Sequence, residues 1–270
     1  MTRRFALLIL LAWALVALAG HWLPLHPDRI ALPDILEAPD SQHWLGADDL
    51  GRPVLDRLLV GAAVSFRVSV LVVGLSLLSG VLIGSAAAWY GGRAERLLVL
   101  VMDVFMAFPG ILLAIALAGL LGPGIDNLVF ALTLVGWVGY ARLARAQVMS
   151  VKQREHVQAA QALGTRSSRI IRRHLLPLIS APLVVEATFG IAAVVIAESG
   201  LSFLGLGVQP PDASWGSMIR DGVRYMLVAP HLVLAPGLAL MLVVLSVNLL
   251  GDQLRDWLDV RSGLRGQENR

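Results

Sequence analysis

The 270-residue chain reads as an all-α, polytopic membrane protein with six transmembrane helices. Two observations predict this class. Hydrophobic residues make up 57% of the sequence and charged residues only 15%, against about 25% charged in a soluble domain. The apolar residues also gather into six runs of about 20 residues, the length needed to cross about 30 Å of hydrocarbon at 1.5 Å per residue. In lipid such runs must be helices, because an unpaired backbone group finds no water there.

In chain order the spans are expected at 5–23, 66–90, 97–121, 126–146, 180–202 and 230–251. The first has a signal-like look, with Arg3 and Arg4 ahead of an apolar core and Ala17-Leu18-Ala19 resembling a cleavage site. Phe5 to Leu25 is longer than the 7–15-residue core of a signal peptide, so the span is expected to be retained. Residues 1–65 are then a first helix plus an outer lobe. The lobe holds Pro24, Pro27, Pro33, Pro39 and Pro53 and is too polar for lipid. Its last part, Leu50 to Val64, places Val54, Leu55, Leu58 and Leu59 at helical spacing and is expected to lie along the membrane surface.

Residues 66–251 form the expected five-helix core, with a cytoplasmic loop at 147–180, and residues 252–270 form a tail. In the second span Ser76, Gly80, Gly84 and Ala88 recur every fourth position, a seam of small residues on which another helix can pack. Pro109-Gly110 and Pro236-Gly237 are expected to bend the third and sixth spans or free carbonyls to line a cavity. Asp103, Glu186 and Glu198 fall within or at the ends of spans, where a charge needs a partner or water. They are the candidates for a lining of a solute path, with Glu198 also read as a structural group near a helix end.

Orientation follows from the basic residues, which stay cytoplasmic. With the N-terminus inside, sixteen of the 22 fall on the inner side, and the first outer segment is acidic, with Asp48 and Asp49 at its centre. Both termini are therefore expected in the cytoplasm. Cysteine is absent, which removes disulfides and thiolate metal sites. Lys152, the one lysine, follows Val151, so no phosphate-cradling G-x-x-x-x-G-K-[ST] loop exists and any ATP belongs to another chain. Neither H-E-x-x-H nor G-x-S-x-G occurs, and the histidines at 21, 26, 43, 156, 174 and 231 show no ligand spacing.

The inner loop reads as two short helices joined by a glycine. Ser150 with Gln153 has a capping-box pattern, and Gly164 can take the left-handed conformation that ends a helix. Thr165, Ser167 or Ser168 can cap the second helix, which Pro177 follows. Ala159 and Ala160 give the first helix a shallow contact side. Arg166, Arg169, Arg172 and Arg173 beside Ile170, Ile171 and Leu175 make the second amphipathic and basic, a pattern that anionic lipid would also explain.

Gln158-Ala159-Ala160-x3-Gly164-x9-His174-x-Leu176-Pro177 resembles the E-A-A-x3-G-x9-I-x-L-P motif of permease subunits of bacterial ABC importers, with glutamine for the glutamate and histidine for the isoleucine. The histidine is a mark of the dipeptide, oligopeptide and nickel branch. His43-Trp44-Leu45-Gly46-Ala47-Asp48-Asp49-Leu50-Gly51-Arg52, the stretch Glu198 to Gly207 with Pro210-Pro211 and Trp215-Gly216, and Asn248-Leu249-Leu250-Gly251-Asp252 resemble further signatures of that branch. The resemblance implies the MetI-like permease fold, with Gln158, Ala159, Ala160, Gly164, His174, Leu176 and Pro177 forming coupling helices that dock on an ATPase. It implies as partners a homologous permease, two ATP-binding subunits, a periplasmic or lipid-anchored solute-binding protein and membrane lipid, with no nucleic acid. This chain would carry no cofactor, ATP and Mg being bound by the ATPases. It would sit in the bacterial inner membrane, do no chemistry itself, and pass small peptides or nickel and other metal chelates. The competing reading is an ion-coupled secondary transporter acting through Asp103 and Glu186.

Overall fold

The structure, a computed structural model, describes residues 3–41 and 43–267, with the side chains of Arg3, His21, His174 and 259–267 outside the description. Of the residues named above, the side chains of Arg3, His21 and His174 therefore lie outside the described residues. The described chain is helical, and its one β-bridge pairs Ala47 with Pro53 in the outer lobe.

Helix α1 (Arg3–Ala19) is 17 residues long and stops short of the expected span. A single 3-10 turn, Gly20–Trp22, follows it, and Leu23 is extended (φ −78°, ψ 137°), as the residue before a proline tends to be. Helix α2 (Val54–Tyr90) runs unbroken for 37 residues, about 55 Å. The separate surface helix expected over 50–64 is thus corrected to the first turns of α2. Pro53 sits just ahead of its start, where a missing N–H costs nothing, and no breaker follows.

The third span divides into α3 (Gly92–Met106) and α4 (Gly110–Leu121), bent by 85° at the predicted Pro109-Gly110 step. Helix α5 (Ile125–Lys152) outlasts its expected end by six residues. The inner elbow follows as α6 (Glu155–Ala162) and α7 (Ser167–Ile170), then a π-turn (Ile171–Leu175) leads into α8 (Leu176–Phe203). After α9 (Trp215–Val223), α10 (His231–Gln267) passes through Pro236 as one helix. Helices α2, α5, α8 and α10 are long and apolar enough to cross a membrane, and the bent α3–α4 pair adds a fifth if it crosses as one broken span.

The chain forms two compact units that share α2, α4, α5, α8 and α10 along their lengths: Met1–Val72, Ala114–Leu132 and Ile191–Leu250, and Val73–Leu113, Thr133–Gly190 and Gly251–Arg270. The first is organised around Trp13, Val54, Val195, Trp215, Leu232 and Val247. The Trp13 ring meets Phe66 edge-on at 5.2 Å and stacks on Trp215 at 6.4 Å, while its indole N–H donates to the Ala62 carbonyl at 3.0 Å. Its outer lobe closes on a charge lock. Asp48, buried, accepts from the Leu50 and Arg52 amides at 2.9 Å each and pairs with Arg52 Nε at 2.7 Å and Arg57 Nε at 3.5 Å.

In the second unit the small-residue seam of α2 packs on α5. A Cβ on Gly80 would lie 2.6 Å from the Trp137 carbonyl, and one on Gly84 would overlap the Ala141 backbone. Backbones this close are how lipid-embedded helices gain dispersion without a hydrophobic drive. Lys152, the last residue of α5, donates to the Trp89 carbonyl at 2.7 Å with its ammonium 5.5 Å from that ring's centre, which fastens the end of α2. Arg145 Nη2 pairs with Glu95 at 2.7 Å and joins α3 to α5.

Candidate functional site

The elbow α6–Gly164–α7 is anchored from one side and open on the other. Val157, Ile170, Leu175 and Ile179 are buried in a core shared with Ala88, Trp89, Val148 and Val151. Gln158, Ala159, Gln161, Ala162, Leu163 and Gly164 are exposed, and Leu163 most of all at 85%. Ala160 is half-buried against the core, so Ala159 alone of the predicted alanine pair fully faces outward.

The pivot follows from backbone hydrogen bonding. Thr165 N–H donates to the Ala160 carbonyl at 3.1 Å and Gly164 N–H to the Gln161 carbonyl at 2.9 Å, the two bonds of a Schellman end, with Gly164 at φ +75°. A Cβ there would meet nothing within 4 Å, so glycine is required by the dihedral and not by crowding. Gln158 donates through Nε2 to the Gln153 carbonyl at 3.3 Å and is tied back toward the end of α5.

The caps differ from the sequence expectation. Ser150 lies inside α5 and forms no capping box with Gln153, and Arg154 and Arg166 stand at the two N-cap positions with no side-chain cap bond. The second short helix does not end before Pro177. It widens through the π-turn and continues as α8, with Leu176 and Pro177 in the first turn. Pro177 has no N–H for the i−4 carbonyl, and a loosened turn next to it absorbs that loss. The elbow is therefore joined to a transmembrane helix without a loop between. Leu163 escaped the sequence reading; an apolar residue just before a helix-ending glycine was the available signal.

The three acidic candidates have distinct settings. Asp103 on α3 is exposed and 3.8 Å from Arg142. Glu186 on α8 is exposed and lines a cavity of about 560 Å³ with Leu143, Pro182, Val185, Phe189 and Arg255. Glu198 is wholly buried: Ser65 and Ser202 hydroxyls donate to its two carboxyl oxygens at 2.9 Å each, and Ser199 adds a longer bond at 3.4 Å. In the lobe, burial and then the neighbouring Asp48 charge push the Asp49 carboxyl above the usual carboxylate range. Asp48 itself is engaged by the arginine lock of Arg52 and Arg57.

Several membrane-length helices and an elbow fused to one of them without a loop define a polytopic membrane protein. The chain belongs to the family of binding-protein-dependent transport system inner membrane components, which matches residues 80–263. The Escherichia coli K12 nickel transport system permease protein NikC is 42% identical over 257 residues, covering 95% of this chain and 93% of that protein. The dipeptide transport system permease protein DppC of Alkalihalophilus pseudofirmus is 41% identical over 83% of this chain and 74% of its own length. The glutathione transport system permease protein GsiD of Pectobacterium atrosepticum is 39% identical over 94% and 84%. Among solved structures, the inward-facing MetNI methionine ABC transporter has a chain of the same fold, at a TM-score of 0.60 and 18% identity over 74% of this chain and 95% of that one. Membership of this family displaces the ion-coupled carrier reading.

Proposed function

We propose that the chain is one of two permease subunits of an ATP-driven importer, enclosing with a homologous permease the path by which small peptides or nickel and other metal chelates enter the cytoplasm. The supporting observation is the elbow: an apolar root of Val157, Ile170 and Leu175 under an open face of Gln158, Ala159, Leu163 and Gly164. One of the two ATPase subunits docks there, with His174, Leu176 and Pro177 at the junction with α8. The ATPases bind ATP and Mg, and a periplasmic or lipid-anchored binding protein delivers solute to the outer lobe. The positive-inside distribution supports cytoplasmic termini, with sixteen of 22 basic residues on that side.

ATP binding closes the ATPases and draws the elbow with them. Because the elbow shares a core with the ends of α2 and α5 and continues into α8, its displacement moves packed helices. Docking on either side shifts the inward–outward balance only by its differential affinity for the two states. We assign Asp103 and Glu186 to the path, since both are exposed and Glu186 opens on a cavity with Arg255. Glu198 belongs to its serine cage. The nickel, dipeptide and glutathione permeases found among the relatives support this solute range.

The test is uptake and ATP hydrolysis in proteoliposomes of the assembled transporter carrying Gly164→Trp. ATP hydrolysis continues while uptake falls to background; a correctly inserted variant with wild-type uptake overturns the reading. Parallel uptake of dipeptide and nickel by the wild type identifies the solute.

A further inference from the structure

The outer lobe carries a constellation that the transport reading leaves unused. Asp34, Glu37 and His43 each offer one ligand atom, and the three atoms lie within 4.8 Å of one another. His43 Nδ1 already meets Glu37 Oε2 at 3.1 Å. Metal–nitrogen and metal–oxygen bonds of about 2.0–2.2 Å place neighbouring donors roughly 3 to 3.5 Å apart, so small side-chain rotations suffice.

The local fold sets this geometry. A 3-10 turn, Leu32–Asp34, presents Asp34, and Glu37 N–H donates to the Asp34 carbonyl at 3.1 Å. The loop from Glu37 closes on itself where Ala47 N–H donates to the Glu37 carbonyl at 3.0 Å, and inside it His43 N–H donates to Asp40 Oδ1 at 2.5 Å. His43 thus returns to face residues six and nine positions earlier. Sequence spacing shows no ligand pattern here because the donors meet through a loop and not along a helix or strand.

Two further observations point to a ligand. His43 borders an open cavity of about 310 Å³ with Trp44, Pro53 and Asp56, which gives an ion access from solvent. Behind the same loop, the Nε2 of His231 is buried with no hydrogen-bond partner among the described residues, beside Gly46 and the Glu37 carbonyl. The start of α10 thus sets a second imidazole nitrogen, which no described protein group satisfies, against the Gly46 side of the same loop.

We propose that Asp34, Glu37 and His43 form a binding site for a divalent first-row transition ion of borderline character, such as nickel or zinc. Imidazole with two carboxylates suits these ions, whereas calcium and magnesium prefer oxygen donors alone. Occupancy fastens the 34–47 loop. The site does not depend on the transport reading; only its location on the outer face does.

The experiment measures Ni²⁺ and Zn²⁺ binding by calorimetry, with Ca²⁺ as comparison, on the assembled transporter purified without a polyhistidine tag. Wild type takes up one Ni²⁺ or Zn²⁺ per copy of this chain and melts at a higher temperature with the ion. His43→Ala and the near-isosteric Glu37→Gln each weaken binding by at least about tenfold, the loss that even outer-shell partners of a metal cause. Equal affinity in wild type and both variants, absence of binding at millimolar ion, or Ca²⁺ binding as tight as Ni²⁺ overturns the proposal and leaves an imidazole–carboxylate ion pair. Failed uptake with binding intact faults the transport reading alone.

Discussion

Gly84 and Gly164 answer different constraints, and substitution separates them. At Gly84 the Ala141 backbone of α5 occupies the place of a Cβ, so Gly84→Ala must push α2 and α5 away from each other. At Gly164 the space is empty and only φ +75° resists, a cost of roughly 1–2 kcal/mol for an L-residue. Gly164→Ala is therefore expected to insert and assemble with a modest loss of thermal stability, while Gly84→Ala lowers the yield of folded transporter. Thermal melts of the two in detergent check this, and equal behaviour contradicts it. Glu198 belongs to the same scale. Its carboxyl accepts from three serine hydroxyls, so Glu198→Ala strands buried donors at about 1–3 kcal/mol each, whereas Glu198→Gln keeps an acceptor. Glu198→Ala is expected to lose the folded transporter and Glu198→Gln to retain uptake. Loss of uptake by a fully folded Glu198→Gln would return this residue to the path.

Among the elements, those with strong signals were legible. Runs of 20 apolar residues announced α2, α5, α8 and α10, Pro109-Gly110 announced the break between α3 and α4, and the spacing of Ser76, Gly80, Gly84 and Ala88 announced the α2 seam. What escaped was set by contacts remote in sequence. The start of α2 looked like a separate surface helix because its apolar residues pack on α1 and α9, where Trp215 donates to the Leu58 carbonyl at 3.1 Å. The capping box at Ser150 failed because α5 is long enough to carry Lys152 to the Trp89 carbonyl, a favourable contact no local pattern reveals. The elbow's glycine was readable from the sequence; its fusion to α8 through a π-turn was not, since proline usually ends a helix. That fusion carries a prediction at this scale. Inserting two glycines between Leu175 and Leu176 leaves the elbow's docking face intact yet unlinks it from α8. ATPase assembly is expected to persist with uptake lost, measured by co-purification and vesicle uptake; unchanged uptake would show that α8 does not receive the motion.

For the whole molecule, the division of labour follows from what the chain lacks and what it presents. In this family the ATPase activity lies on separate partner chains, and in the proposed reading the open, rooted elbow of α6 and α7 is where that energy enters. The chain holds no cysteine, which makes a single introduced thiol an unambiguous reporter. Leu163, 85% exposed at the tip of the elbow, is the place for it. Leu163→Cys in the assembled importer, with single cysteines placed in the groove of an otherwise cysteine-free ATPase partner, measures the contact directly. A disulfide that forms between Cys-substituted position 163 and the ATPase, and that stops ATP-driven uptake until it is reduced, is the predicted result. An active transporter in which no such bond forms from this position would contradict the account.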